Sequence, residues 1–284
     1  MVSTLYLSLM KYGIFYMATS VYKNYFDNFI KTVKYIFPDR YKELIVISDG
    51  LEEYHGKIIN KNTYIEVEKI IDYPYPLINL CKFQTVYYYA KKHNIDRILY
   101  FDADTIIFEK SQNFWNYVDE LLSTDKLICS YHPHYLYNNE SIFRNNGFLY
   151  NDKELAVYCD PENIHKNKCY IMSSFFMGSI KAVEYAYKEI YRMSSIDLKN
   201  FRWIPWFSDE TYLNTLNVND NIINNIGSIY LDKFITINPY NFNGVHYDDG
   251  NIWHDNFPIH KTIFINQKYD ITIKDQKRED IKIL

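Results

Sequence analysis

Residues 95 to 108 read Ile-Asp-Arg-Ile-Leu-Tyr-Phe-Asp-Ala-Asp-Thr-Ile-Ile-Phe, an apolar run that ends on two acids, Asp102 and Asp104, before apolar character resumes. The apolar run predicts a buried strand. Strand alternation sends residues i and i+2 to one face, so both carboxylates are expected to converge on a hard divalent cation, which could in turn hold a diphosphate. Acids placed where a buried strand emerges also fit the rule that open α/β sheets bind ligands beyond the carboxyl ends of their strands.

Working outward, strand and helix patterns alternate, which predicts an α/β fold with a mixed, mostly parallel sheet flanked by helices. Residues 13–18, 43–48 and 63–67 read as strands. Residues 21–37 read as a helix, with Tyr22, Tyr25, Phe26, Phe29, Ile30 and Val33 at helical spacing and Pro38 as its stop. A second helix is predicted over 77–93, leading into the Asp102 strand. Residues 127–131 and 170–177 are further strands, 181–193 a further helix, and another helix is predicted to start near Ser208. Between them, 132–168 is too long for an ordinary connection. The last 20 residues interleave charge with Ile and are expected to form a tail or a final strand.

The chain has 284 residues and a formal charge of −4, enough length for one domain with a sizeable core. We expect a single domain over 1–284, with a nucleotide-binding half over 1–110 and an acceptor-binding half with the tail over 111–284. The acidic balance gives no reason to expect a nucleic-acid partner. The 30 tyrosines are read as compositional bias rather than function. Cys81, Cys129, Cys159 and Cys169 form no Cys-x-x-Cys pair, which suits free buried thiols in a reducing compartment. Lys11 interrupts the apolar N-terminal stretch and no uncharged run approaches the roughly 20 residues of a membrane span, so no transmembrane anchor is expected and the cytoplasm is the default.

Absences narrow the chemistry. None of the eight glycines belongs to a Gly-x-Gly-x-x-Gly or Gly-Lys-Ser/Thr phosphate loop. No Gly-x-Ser-x-Gly elbow or His-Glu-x-x-His helix is present either, which removes the commonest serine-hydrolase and zinc-protease readings. A metal-bridged diphosphate remains. The second informative stretch is Trp206-Phe207-Ser208-Asp209-Glu210-Thr211-Tyr212-Leu213-Asn214. Ser208 or Asp209 can cap the predicted helix, placing Glu210 in a first turn, where the helix dipole favours an ionised carboxylate. Such an anion beside a metal-bound leaving group suits a retaining sugar transfer. Read without that context, the same residues are an ordinary capping cluster.

Taken in order, the Asp102-Ala103-Asp104 triplet, His132-Pro133, Tyr170 through Ser179, and Trp206 through Asn214 resemble the family 6 glycosyltransferases, the group of the blood-group A and B transferases and α-1,3-galactosyltransferase. The resemblance implies a GT-A fold. It also implies retaining, metal-assisted transfer of galactose or N-acetylgalactosamine from a UDP-sugar donor to an oligosaccharide or glycolipid acceptor, in α-1,3 linkage. It assigns Asp102 and Asp104 to manganese or magnesium, Ala18, Thr19 and Tyr22 to uridine, and Lys82 to the donor sugar or phosphate, where the family carries Arg. Met172 and Ser174 fall at positions that tune donor choice, His132 and Trp206 at acceptor contacts, and Lys268 at a C-terminal Lys that closes over the phosphates. Asp209 and Glu210 match the pair at the reacting sugar, with Glu210 as nucleophile or oxocarbenium stabiliser. The chain departs from the pattern at Ser173-Ser174-Phe175-Phe176-Met177-Gly178, where the family has Gly-Gly-Phe-Phe-Gly-Gly, and at Ser208, where it has His. The alternatives are a family 8-type UDP-glucose or UDP-galactose transferase, which shares the metal triplet, and a non-catalytic nucleotide-sugar or glycan-binding protein on the same scaffold.

Overall fold

The computed structural model describes residues 10–33, 40–61, 63–71, 73–74, 77–103, 105–107, 112–123, 125–131, 171–201 and 208–218, together with strand residues 226–229, 236–237, 245–248, 251–254, 257–261 and 264–266. The central sheet is built from β1 (Tyr12–Ala18), β2 (Tyr41–Ser48), β3 (Tyr64–Lys69), β4 (Arg97–Asp102), β6 (Leu127–Tyr131), β7 (Ile171–Ser179) and β8 (Ile226–Ile229), with the short β5 (Thr105–Ile107) lying outside it. Its spatial order is β3-β2-β1-β4-β7-β6-β8. Every pairing is parallel except the two made by β7, which runs antiparallel to both β4 and β6. The sheet is therefore mixed and mostly parallel, with one reversed strand near its middle.

Near-continuous apolar strands mark a sheet covered on both faces. All seven residues of β1 are buried, and in β4 only Asp102, at the very end, is partly open. On one face Tyr16 packs against Phe26 and Phe29 of α1 (Phe26–Val33), and Phe29 against Phe101, while Val118 and Leu122 of α4 (Gln112–Leu122) extend the same layer. The other face holds α3 (Lys82–Lys92), α5 (Ile180–Phe201) and α6 (Ser208–Val218), which bury Phe83, Val86, Ala90, Ala182, Val183, Ala186, Ile190, Leu213 and Leu216. Phe176 of β7 stacks between Phe83 of α3, 4.4 Å away, and Tyr100 of β4, 4.5 Å away. That aromatic column joins the reversed strand to its antiparallel neighbour β4 and to the helix above both.

The expected elements are present with shifted limits. The first predicted helix divides into a 3-10 turn over Ser20–Tyr25 and then α1. The second divides at Cys81 into a single turn, α2 (Leu77–Leu80), and α3. The helix expected over 181–193 runs on to Phe201 because Met193, Ser194 and Asp197 remain buried against the rest of the molecule. Helix α4 was not anticipated from sequence. Beyond the main sheet, β10 (Val245–Asp248), β11 (Asn251–His254) and β12 (Phe257–Lys261) form an antiparallel sheet, and β13 (Phe264–Asn266) pairs with β5 and with β9 (Thr236–Ile237). Residues 132–168 and most of the final 20 residues lie outside the described residues. Cys81 and Cys129 are free thiols. Among the described residues no helix is long and apolar enough to cross a membrane.

Two residues report on the packing around β7. A Cβ at Gly178 would stand 2.7 Å from the Lys126 carbonyl oxygen, so only glycine lets the start of β6 approach this strand. Phe176→Ala removes the central ring of the aromatic column and is expected to cost about 3–5 kcal/mol. Urea unfolding followed by circular dichroism measures that loss, and a cost below about 1 kcal/mol would mean the column does not support the fold.

Candidate active site

The site lies where β1 and β4 end side by side, with Met17 opposite Asp102 in the parallel register. Tyr16 fixes the turn that follows, its hydroxyl donating to the Ala103 carbonyl oxygen at 2.7 Å. Asp102 is the last residue of β4, with a side chain 28% exposed. Tyr100, two residues earlier and so on the same face, donates its hydroxyl to Asp102 Oδ1 at 2.6 Å. Beside it, Ala18 closes β1 and is buried, Thr19 precedes the 3-10 turn, and Tyr22 is half-buried within that turn. Ser20 takes φ 53°, a left-handed conformation, and its backbone N–H donates to Asp49 Oδ1 at 3.2 Å, while Lys23 Nζ lies 3.1 Å from the same oxygen. Asp49, just past the end of β2, thereby anchors the start of this segment.

The central feature is the Lys82 ammonium. Lys82 is the first residue of α3, and its side chain, only 3% exposed, points into the sheet end. Nζ lies 3.0 Å from Asp102 Oδ1, 2.8 Å from Asp209 Oδ2, 3.3 Å from the Ser173 carbonyl oxygen and 3.4 Å from Ser173 Oγ. Asp209 Oδ2 sits off the hydrogen-bonding direction, so this contact is an ion pair at close range. Burial disfavours the charged ammonium, yet the Asp102 and Asp209 carboxylates outweigh it and hold the Lys82 pKa above its ordinary 10.5. Four segments thus meet at one nitrogen: the start of α3, the end of β4, the start of β7 and the start of α6.

Helix α6 supplies the acids. Asp209 and Glu210 both lie in its first turn, and Asp209, buried, turns inward to Lys82 rather than standing at the cap. Glu210 is half-buried beside it, and its carbonyl oxygen accepts a hydrogen bond from Asn214 Nδ2 at 2.9 Å. One turn further, Tyr212 donates its hydroxyl to Asp197 Oδ2 of α5 at 2.6 Å. Asp197 is fully buried, and burial raises its pKa despite that hydrogen bond. This contact ties α6 to α5 and so fixes the face that Asp209 presents.

Sequence reading singled out Asp102, Lys82 and Asp209, which meet here, and Ala18, Thr19 and Tyr22, which lie at the adjoining strand end. Ser174 is half-buried on β7, and Met172 lies on the same strand. Asp104, His132, Trp206 and Lys268 fall outside the described residues. Tyr100 and Ser173 were missed. Tyr100 could have been found by alternation from Asp102, but nothing in the spacing singled out the Ser173 carbonyl.

Among the described residues no group of three or more His, Cys, Asp and Glu is placed to hold a metal. A cation shared with a diphosphate needs only one or two protein carboxylates, the remaining ligands being phosphate oxygens and water. Asp102, a partly open hard-oxygen donor at the sheet end, fits that kind of site. No protein-family model matches the chain, and no curated protein matches it.

Removing one partner of a buried ion pair strands the other. Lys82→Met is therefore expected to cost about 3–5 kcal/mol, and Lys82→Met with Asp209→Leu to recover part of that loss, because an apolar pair of similar volume needs no counter-charge. Linkage adds a pH signature. A raised lysine pKa contributes stability that is complete below pH 10.5 and declines as pH rises toward the folded-state value. The stability difference between wild type and Lys82→Met should thus be flat below that pH and shrink above it. Denaturant titrations across pH 7–11 test both statements, and a wild-type stability equal to that of Lys82→Met at neutral pH would refute them.

Proposed function

We propose that the chain is a retaining glycosyltransferase of the GT-A type, moving galactose or N-acetylgalactosamine from a UDP donor to a hydroxyl of an oligosaccharide or glycolipid acceptor in α-1,3 linkage. The observation that carries the reading is the meeting of Lys82, Asp102 and Asp209 at the carboxyl end of β4. These positions are far apart in sequence, and the resemblance to family 6 assigns all three to the donor site. The mixed, mostly parallel sheet supports the same fold.

Asp102 and Asp104 would hold manganese or magnesium, which supplies positive charge to the diphosphate as it leaves. Lys82 sets a fixed cation beside Asp102, restrained by the Asp102 and Asp209 carboxylates so that it needs little reorganisation when substrate charge develops. Its two partners leave the trio with one net negative charge, which favours a divalent cation at its open edge. Ala18, Thr19 and Tyr22 adjoin this point at the end of β1 and would hold the uridine. Glu210, in the first turn of α6, where a helix dipole favours negative charge, would attack or stabilise the anomeric carbon. Two displacements at one carbon, the first by Glu210 and the second by the acceptor oxygen, give retention.

UDP release from a panel of UDP-sugars, with galactosides as acceptors, tests the reading. The expected outcome is release from UDP-galactose or UDP-N-acetylgalactosamine in manganese, lost in EDTA, with Glu210→Ala reducing transfer at least about a thousandfold while UDP affinity holds. Undiminished transfer by Glu210→Ala would remove Glu210 from the chemistry. UDP binding without turnover of any donor would favour a nucleotide-sugar-binding protein, and turnover of UDP-glucose alone would favour the family 8 type.

A further inference from the structure

Helices α3 and α5 lie side by side on one face of the sheet, joined by the stacked rings of Tyr87 and Tyr187 at 5.1 Å. Their inner residues are core, whereas their outer face combines two kinds of side chain. Tyr88 of α3 and Tyr191 of α5 stand 62% and 64% exposed, with Leu198 exposed at the far end of α5. Around them the cations Lys91, Lys92, Lys181, Lys188, Arg192 and Lys199 are also exposed. The acids on the same outer face are Glu184 and Glu189, each engaged with a neighbour on α5, Glu184 with Lys188 at 2.7 Å and Glu189 with Arg192 at 2.8 Å. Lys92 in addition meets Glu68 of the edge strand β3 at 2.8 Å. The remaining acid of α5, Asp197, is fully buried and points to Tyr212.

This face thus carries a positive excess on a chain whose formal charge is −4. Six of the chain's 31 lysines and arginines lie on this face, three of them, Lys91, Lys181 and Lys199, outside its ion pairs with Glu68, Glu184 and Glu189, and exposed tyrosines are interleaved with them. Tyrosine presents an apolar ring with a polar tip, and lysine and arginine lay apolar stems along a surface while holding their charge outward. Together they match the headgroup region of an anionic bilayer, where aromatic rings sit at the interface and each nearby cation adds attraction to acidic lipid.

We propose that the outer face of α3 and α5 docks the protein reversibly on an anionic membrane surface. Charge complementarity carries the choice of partner. The proposal does not depend on the transferase reading, because the face lies on the outside of the helical layer and uses none of the residues that meet at Lys82. It does carry a geometric corollary. Helix α3 starts at the site with Lys82, and α5 runs antiparallel to it toward the same end of the sheet, where Asp197 meets α6. Docking along both helices would bring the site end of the sheet to the edge of the bilayer, within reach of a lipid-borne headgroup.

Co-sedimentation with vesicles tests the inference on the full chain. Wild type is expected to pellet with phosphatidylcholine vesicles containing about one third phosphatidylglycerol, to remain in the supernatant with pure phosphatidylcholine, and to be released by high salt. Lys91→Gln with Lys181→Gln and Lys199→Gln should weaken binding roughly a hundredfold, and Tyr88→Ser with Tyr191→Ser should weaken it at unchanged charge. Unaltered thermal unfolding of both variants by circular dichroism would assign the loss to the surface. No binding to anionic vesicles, binding that the triple lysine variant retains, or a preference for homopolymeric RNA over vesicles would each overturn the proposal.

Discussion

A charged ammonium removed from water is costly unless opposite charge meets it at close range. Lys82 is such a group, and satisfying it organises the end of the sheet. Asp102 must sit at the end of β4, Ser173 must lie near the start of β7, and α6 must begin where Asp209 can reach inward. None of these residues is near another in sequence, so one nitrogen fixes the relative placement of four segments. The stability of an ion pair of this kind is modest in net terms, because desolvation offsets attraction. What it supplies is specificity of arrangement, since any displacement of α6 leaves a buried charge uncompensated.

The surrounding apolar structure makes that arrangement rigid. Tyr100 lies over the same region, its hydroxyl on Asp102 and its ring stacked on Phe176, so the polar site and the aromatic column share a residue. Tyr16 does the same from the opposite face of the sheet, packing against Phe29 while its hydroxyl holds the Ala103 carbonyl. The end of β4, at Asp102 and Ala103, is therefore fastened from both faces. A strand end held in this way is ordered in advance, and such order reduces the cost of binding in general.

Much of the fold was legible in the sequence because the sheet is buried on both faces. Leu127–Tyr131 stands as read, and the apolar runs of β1, β2, β4 and β7 announce themselves without needing alternation. Helix limits were less legible. The break at Cys81 carries no Gly or Pro, and α5 continues past Met193 because tertiary contacts with α6 support residues whose local pattern had faded. Helix α4 was overlooked although Phe114, Trp115, Val118, Leu121 and Leu122 have helical spacing, since Gln112, Asn113 and Asn116 masked the apolar stripe. At the site, Asp102 could be read from its place at a strand end. The approach of Asp209 to Lys82 could not, because local spacing holds no information about segments 127 positions apart; that expectation rested on resemblance alone.

The reversed strand has a consequence for how the chain assembles. Among the described residues, β7 alone bridges the sheet formed by β1 to β4 and the pair β6 and β8, and its partner residues in β4 lie more than 70 positions earlier in the chain. During synthesis the first four strands can pair as soon as they emerge, but β4 then presents a long apolar edge with open backbone groups until residues 171–179 arrive. Such an edge is a template for pairing with another copy. The late strand therefore serves as a cover, and variants that slow its docking endanger the chain through aggregation before they alter the finished structure.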